Sequence, residues 1–195
     1  MNGVTRHGWD PTGALTCLAV EGRFLQAVDM DGLRRQATDA ARQGADAVFL
    51  SQGPLGDPIV LAAGLGSVVP GLLLGARVPL GPEERHPAMV AREFTSLDLA
   101  CGGRSVLCLV PPFTETLAEA AFLCRSLWRE GEVVGVGPHF PVRAASGRSR
   151  PGDRSPLIAL DLTAGHELPT VMAGAADLVV LPMSAAPEAC RLEWV

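Results

Sequence analysis

The stretch Arg85-His-Pro-Ala-Met-Val-Ala-Arg-Glu-Phe-Thr-Ser-Leu-Asp-Leu-Ala-Cys-Gly-Gly-Arg104 carries the marks of one helix with both ends defined. Pro87 suits a first helical position, where its missing N–H removes no hydrogen bond. Apolar residues recur at helical spacing at Val90, Phe94, Leu97 and Cys101. Gly102 and Gly103 supply the left-handed residue that ends many helices. The run therefore predicts a helix, and the mainly apolar segment 105–110 predicts a buried strand directly after it.

Apolar strand-like runs alternate with helical patterns on both sides of this stretch. The runs at 47–50, 71–78, 157–160 and 178–181 contain almost no polar residue, as buried parallel strands require. Helix-capping residues precede the helical patterns: Asp31 before 32–43, Asp57 before 58–67, and a Thr116/Glu119 capping box before a helix that ends near residue 131. Two short β segments follow within 133–142, and a short helix is expected at 167–173. The alternation predicts an α/β fold with about six parallel strands.

The run 85–104 resembles the third helix and fourth strand of the luciferase-like flavin monooxygenase superfamily, which includes the coenzyme F420-dependent oxidoreductases. Its members commonly read R-H-P-x-x-x-A-R-E-x-x-x-L-D-x-x-x-x-G-R at this place. The resemblance is specific in 85–104 and weaker in 44–75 and 123–142. It implies a TIM-type (β/α) barrel and a flavin-type cofactor, either FMN or F420.

The length of the chain predicts that such a barrel is incomplete. A full (β/α)₈ barrel usually needs about 250 residues, whereas this chain has 195. We therefore expect one luciferase-like domain over 1–195, with a loose leader at 1–13, a first strand and hairpin within 15–28, and a mobile loop at 144–156. An incomplete barrel leaves two strand edges unpaired, which is a liability unless something covers them.

Composition excludes several kinds of chemistry. All 16 basic residues are Arg, so a P-loop lysine and a Schiff-base lysine are ruled out. The net charge of −5 argues against a nucleic-acid partner. No apolar run has the length of a membrane span, and no signal pattern is visible, so we expect a cytoplasmic protein. The odd number of cysteines without a C-x-x-C pattern predicts buried thiols, and no metal site is expected.

Candidate site residues lie at the ends of the predicted strands, where barrel enzymes carry their sites. In the superfamily an acid–histidine pair often follows strand two, but here the matching positions are Gln52 and Gly53. After strand three, Gly75 and Ala76 leave room for a flat cofactor ring. Arg77 faces an anionic cofactor or is a solvated strand end.

The usual phosphate contacts are replaced. Pro111 and Pro112 stand where a Gly-rich turn gives backbone N–H groups, and proline has none. Asp161 puts negative charge at a second expected phosphate position. His86 is the best remaining ionisable candidate, and it either bonds the cofactor or substrate or is a structural residue at a helix start.

Three functional hypotheses remain open. The resemblance implies an FMN- or F420-dependent oxidoreductase or monooxygenase, with Gln52, Gly75, Ala76 and Arg77 at the cofactor and His86 as the catalytic candidate. The eroded contacts favour a non-catalytic luciferase-like subunit or flavin-binding protein, with or without a bound cofactor. An unrelated α/β binding module is the third hypothesis.

A partner chain is also expected. The superfamily typically dimerises through the helices near strands two and three, which here are 57–67 and 87–101. We therefore expect a homodimer, or a heterodimer with a full-length luciferase-like relative. The alternative is a monomer whose N-terminal leader and C-terminal tail fold back over the gap in the barrel; the tail ends in Leu192-Glu-Trp-Val195.

Overall fold

The computed structural model describes residues 20–25, 27, 29–146, 155–165, 167–168, 170–172, 174–183 and 189–194. Its helices are α1 (Met30–Arg42), α2 (Pro58–Leu65), α3 (Pro87–Cys101) and α4 (Glu115–Glu130). Its strands are β1 (Val20–Leu25), β2 (Ala47–Leu50), β3 (Leu73–Val78), β4 (Ser105–Leu109), β5 (Glu132–Val136), β6 (Pro141–Ser146), β7 (Leu157–Asp161), β8 (Leu178–Pro182) and β9 (Ala189–Trp194).

Seven of these strands form one closed barrel in the order β1-β2-β3-β4-β7-β8-β9. The first six run parallel to one another, as predicted, so the fold is an incomplete TIM-type (β/α) barrel. β9 runs antiparallel to both β8 and β1, with Trp194 opposite Leu178 and Leu192 opposite Val20. The expectation of two unpaired strand edges is therefore wrong, because this strand joins them. β9 lies where the alternative placed the C-terminal tail, while the leader that it also placed over the gap lies outside the described residues.

Side chains alternate along the barrel strands between the interior and a layer that faces the helices. The helix-facing layer includes Val48, Leu50, Leu74, Ala76, Leu107 and Leu109. The interior is filled by Ala47, Phe49, Val106, Cys108, Ala159, Leu178, Val180, Cys190 and Leu192. Every one of these side chains is buried. The centre of the barrel is thus a packed core rather than a pore.

The run 85–104 forms α3 and its surroundings as predicted. Gly102 follows the helix with φ +69°. Arg85 pairs with Asp57 at 2.7 Å, at the start of α2, and with Glu93 at 2.5 Å in α3. Burial raises the pKa of Asp98, while its hydrogen bonds from the Ser105 N–H and hydroxyl favour the ionised form.

Arg104 ends this run and connects two helices. Its guanidinium donates to four backbone carbonyls at 2.6–3.0 Å, those of Gly66, Val69, Leu72 and Cys101. These carbonyls lie at the C-terminal ends of α2 and α3 and in the loop that leads to β3, where helices leave such groups unsatisfied. Arg85 and Arg104 thus connect α2 to α3, and Asp98 connects α3 to the start of β4, so the role of these three residues is structural.

Two helix starts differ from the prediction, because another side chain lies closer to the free N–H groups. Asp29 rather than Asp31 caps α1, accepting a first-turn N–H at 2.5 Å. Thr114 rather than Thr116 caps α4, accepting an N–H at 3.2 Å. The predicted cap at Asp57 is confirmed, since its carboxylate accepts two N–H groups of α2.

The two predicted β segments are present as β5 and β6, which pair antiparallel outside the barrel. β6 continues to Ser146, so the start of the expected 144–156 loop is wrong, and residues 147–154 lie outside the described residues. The expected leader at 1–13 lies outside them as well. In the region 15–28, the described residues form the single strand β1 rather than a strand and hairpin. The expected helix at 167–173 is a single 3₁₀ turn, Thr170–Met172.

Candidate functional site

Two charged side chains meet at the end of the barrel where the parallel strands have their carboxyl ends. Arg77 comes from the interior face of β3, and Asp161 is the last residue of β7. Arg77 Nη2 and Asp161 Oδ2 form an ion pair. The Arg77 side chain is 24% exposed and that of Asp161 is 7% exposed. Arg77 is therefore part of a largely buried pair that crosses over β4, rather than a solvated strand end.

Two hydroxyl groups complete this arrangement. Asp161 Oδ1 accepts from the Thr163 N–H at 3.0 Å and from the Thr163 hydroxyl at 2.5 Å. Arg77 Nη2 lies 3.3 Å from Thr163 Oγ1, and Nη1 lies 3.5 Å from Ser51 Oγ. We call Ser51, Arg77, Asp161 and Thr163 the mouth cluster. Ser51 and Thr163 were not among the predicted site residues, although Ser51 follows the end of β2 by one residue and Thr163 follows the end of β7 by two.

Two thiols lie in the barrel interior near the mouth cluster. Cys108 is opposite Arg77 in the β3–β4 register, and Cys190 lies on β9. Burial raises the pKa of Cys190 to about 12, and the nearby Arg77 and Asp161 act on it in opposite directions. Burial also raises the pKa of Cys108. Both thiols are therefore protonated at neutral pH and are poor nucleophiles.

The predicted thiol state is confirmed for the cysteines in the described part of the chain. These are Cys101, Cys108, Cys124 and Cys190, and each is free and buried. Cys17 lies outside the described residues.

The predicted ring-binding residues lie inside β3, which extends to Val78, and not in a turn after it. Gly75 faces the barrel interior, where the ring of Phe49 covers it. A Cβ atom on Gly75 would lie 2.2 Å from Phe49 Cδ1. Ala76 points the other way and is fully buried in the helix-facing layer. The chain's own side chains therefore fill the room that was expected there for a cofactor ring.

Gln52 and His86 are not members of the mouth cluster. Gln52 is exposed in the bend that follows β2. His86 is the N-cap of α3, and its Nδ1 accepts the Ala88 N–H at 3.2 Å. Its ring packs edge-on against Phe140 with centroids 5.6 Å apart. Among the described residues neither side chain bonds to the mouth cluster, and the contacts of His86 are those of a structural residue at a helix start.

The turn after β4 offers few donors to an anion. Pro111 and Pro112 follow Val110, and neither proline carries an N–H. Asp161 adds a carboxylate to the same end of the barrel. This end therefore differs from the anion-binding turns of other proteins, in which successive N–H groups converge.

A second polar contact, missed by the sequence analysis, joins α4 to the β5–β6 hairpin. The Glu119 carboxylate accepts the N–H groups of His139 and Phe140, at 3.2 and 2.9 Å, and lies 2.8 Å from His139 Nδ1. Burial favours the neutral acid, but these hydrogen bonds outweigh it, so the pKa of Glu119 is lowered. Glu119 thus anchors the tip of the hairpin. From sequence, Glu119 was assigned to a capping box with Thr116. Its actual partners, His139 and Phe140, are about 20 residues away in the chain, and local sequence gives no sign of them.

The described ranges contain neither a metal-binding cluster nor a membrane-spanning helix. There, no group of three or more His, Cys, Asp and Glu side chains is arranged to hold a metal ion. No helix in that part of the chain is long and apolar enough to cross a membrane.

Comparison with known proteins supports the fold. No protein-family model matches the sequence, and no curated protein matches it. A solved F420-dependent secondary alcohol dehydrogenase, in complex with an F420–acetone adduct, superposes with a TM-score of 0.65 at 18% identity, over 84% of this chain and 58% of that chain. The F420-dependent tetrahydromethanopterin reductase of Methanopyrus kandleri gives 0.65 at 16% identity, over 83% and 55%.

A third similar structure contains FMN. It is the oxygenating constituent of 3,6-diketocamphane monooxygenase from Pseudomonas putida, with a TM-score of 0.53 at 17% identity, over 68% of this chain and 45% of that chain. This chain thus spans about half the length of the proteins it resembles. The expected fold is confirmed: the chain has the fold of the luciferase-like monooxygenases and F420-dependent oxidoreductases, as an incomplete barrel.

Proposed function

We propose that this chain is a non-catalytic luciferase-like barrel protein that does not hold FMN or F420 in its own barrel, and that it acts as a subunit paired with a second luciferase-like chain. The observation that carries the proposal is the ring of Phe49, which lies directly over Gly75. Titration with FMN and F420 tests it.

The barrel interior does not fit a flavin ring beside β3. Phe49 is fully buried, and burying a phenylalanine stabilises a fold by about 1.5–3 kcal/mol. A cofactor ring would have to displace it from Gly75 and provide that free energy itself. Ala76 offers no alternative contact, because its side chain faces the helices.

The same end of the barrel does not fit a cofactor phosphate. Pro111 and Pro112 cannot donate backbone hydrogen bonds, and the Arg77 guanidinium is already paired with the Asp161 carboxylate. Each hydrogen bond lost to a charged group removes about 1.5–3 kcal/mol. We therefore expect free FMN to bind with a dissociation constant on the order of tens of micromolar or weaker.

The decisive experiment has two parts. The first is the absorbance spectrum of protein purified from its native host, which should contain no flavin or deazaflavin band. The second is calorimetric titration of the wild-type chain with FMN and, separately, with F420. A submicromolar dissociation constant for either cofactor, or a cofactor band in the native protein, overturns the proposal.

Pairing is supported by the outward faces of α2 and α3. α2 contains no charged residue and exposes Val60. α3, which packs beside it, exposes Met89 and Leu99. Since β9 closes the sheet, these apolar side chains rather than open strand edges now support a homodimer, or a heterodimer with a longer relative.

An FMN- or F420-dependent oxidoreductase or monooxygenase is the second candidate. The observation that favours it is the fold shared with the FMN-containing monooxygenase constituent and the F420-dependent alcohol dehydrogenase. In that function the Phe49 ring and the mouth cluster would have to rearrange when the cofactor binds. The cofactor titration separates the two candidates, because only this one requires tight binding.

A further inference from the structure

We propose that His139, at the tip of the β5–β6 hairpin, is a reactive histidine, and that Glu119 of α4 activates its ring for attack on an activated acyl group. The two residues form a carboxylate–histidine dyad, in which one ring nitrogen orients the imidazole and the other reacts. This inference goes beyond the proposed function and does not rest on it, because the hairpin lies outside the barrel sheet.

The contact with Glu119 determines which ring nitrogen of His139 carries the hydrogen. His139 Nδ1 lies 2.8 Å from Glu119 Oε2. Burial favours the neutral acid, but the hydrogen bonds from the hairpin outweigh it and lower the pKa of Glu119. The carboxylate is therefore ionised at neutral pH and can only accept a hydrogen bond. Nδ1 must donate that bond, so in the neutral ring the reactive lone pair is on Nε2.

The hairpin tip holds the carboxylate and the ring in a fixed arrangement. Glu119 also accepts the backbone N–H groups of His139 and Phe140, at 3.2 and 2.9 Å. The His139 side chain is 35% exposed, so a reagent in solution can reach it. Positive charge develops on the imidazole when Nε2 attacks, and an ionised carboxylate bonded to Nδ1 stabilises that charge. The geometry therefore favours His139 as a nucleophile.

His86 provides a contrast within the same chain, because its ring has the opposite arrangement. Its Nδ1 accepts the Ala88 N–H at 3.2 Å at the start of α3. The lone pair is therefore on Nδ1, where the helix uses it, and Nε2 carries the hydrogen in the neutral ring. His86 is nevertheless more exposed than His139. Exposure alone predicts that His86 reacts faster, whereas the dyad predicts that His139 does.

Acylation by diethyl pyrocarbonate tests the inference. Nε2 attacks a carbonyl carbon of the reagent, an N–C bond forms, and the C–O bond to ethyl carbonate breaks with its electron pair. The ring then loses its Nδ1 proton to the ethyl carbonate, which decomposes to ethanol and carbon dioxide. The chain suits this reagent, because it contains no Lys and no Tyr, and the four cysteines within its described part are buried.

The measurement compares the two histidines in native and unfolded protein. Reaction is carried out at about pH 7.5, above the ordinary pKa of histidine. Trypsin then cleaves after arginine, so that peptides 86–92 and 130–143 report His86 and His139 separately by mass spectrometry. In the native wild type we expect His139 to react on the order of ten-fold faster than His86. In urea, where the fold no longer sets the tautomers, the two rates should be similar.

Glu119→Gln tests whether the carboxylate is the activating group. The amide does not stabilise charge on the ring, so His139 should react on the order of ten times more slowly. A purely structural role for Glu119 predicts the reverse, because a loosened hairpin exposes His139 further and speeds its reaction. Glu115→Gln, at an exposed position in the first turn of the same helix, is the control and should leave the rate unchanged.

Two results overturn the inference. One is a native His86 that reacts as fast as His139 or faster. The other is a His139 rate that Glu119→Gln leaves unchanged or raises. If Glu119→Gln does not fold, the comparison of the two histidines in the native wild type decides alone. Neither result bears on cofactor binding in the barrel, so a failure here is distinguishable from a failure of the proposed function.

Discussion

Phe49 and Gly75 are opposite each other on neighbouring strands, and the Phe49 ring occupies the place where a side chain on residue 75 would begin. The glycine is needed here for close approach of an aromatic ring from its own chain. From sequence, a glycine at this point of the fold suggests room for a ligand. Which neighbour fills that room depends on the strand register, which a single sequence does not contain.

Gly75→Ala should destabilise the protein, because its Cβ would overlap the Phe49 ring. We expect a loss of about 1–3 kcal/mol, as for other overpacked cores, and a melting temperature lower by roughly 2–4 °C for each kcal/mol. Gly53→Ala is the matched control, since the nearest heavy atom to its Cβ is 3.9 Å away. Adding Phe49→Leu to Gly75→Ala should restore part of the loss. Equal melting temperatures for the two alanine variants would contradict the packing described here.

Phe94→Ala should cost about 3–5 kcal/mol, the usual effect of deleting a buried aromatic side chain. Phe94 is fully buried on α3 and packs against Trp128 of α4 with ring centroids 6.2 Å apart. Urea unfolding followed by circular dichroism measures the loss. Phe122→Ala on α4 is the control, because that side chain is 67% exposed and should change stability by less than about 0.5 kcal/mol. A Phe94→Ala variant as stable as wild type would show that α3 is misplaced.

The elements that sequence predicted well are those whose signals are local. Pro87, Gly102 and the apolar spacing between them define α3 without reference to any other part of the chain. The two cap errors, at Asp31 and Thr116, also come from local reading, because several side chains near each helix start could reach the same N–H groups.

β9 shows what local signals leave open. Cys190 and Leu192 face the barrel interior, while Arg191 and Glu193 pair with each other at 2.7 Å on the outside. This alternation is a strand pattern that the sequence does contain. This strand pairs with both β8 and β1 and so closes a barrel of six parallel strands. Whether it can do so depends on the circumference of the whole sheet, which local sequence does not show.

For the mouth cluster, the sequence predicted the positions of two residues but not the contact between them. Arg77 and Asp161 were both expected at strand ends, since residues at the end of an apolar run are visible in sequence. Their pairing was not predicted, because it joins strands that are distant in the chain and separated by β4. The order of strands around the barrel brings them together.

Glu119→Gln should loosen the β5–β6 hairpin and cost about 1–2 kcal/mol at pH 7, because hydrogen bonds to a charged acceptor become bonds to a neutral one. The pKa of Glu119 is lowered from 4.5 in the folded state. Its stabilising contribution is therefore complete above pH 4.5 and is lost as the pH falls through the folded-state pKa. The stability difference between wild type and variant, from urea unfolding at several pH values, should shrink accordingly.

Glu115→Gln is the control for this series. Glu115 is exposed in the first turn of the same helix, so its replacement should have a smaller effect at pH 7. A Glu119→Gln variant that unfolds like wild type at every pH would show that the carboxylate does not anchor the hairpin.

The proposed pairing predicts a mass of twice 20.4 kDa for the wild-type chain in light scattering at micromolar concentration, if the partner is a second copy. Val60 on α2 and Leu99 on α3 are 69% and 59% exposed, and a charge at either position would be buried without a partner in the paired state. Val60→Glu and Leu99→Glu should therefore each shift the protein to the monomer, since burying an unpaired charge costs several kcal/mol. Phe122→Glu, on the exposed face of α4, is the control and should leave the mass unchanged. A wild-type mass of 20.4 kDa that does not change when extract of the native host is added would contradict both the homodimer and the heterodimer.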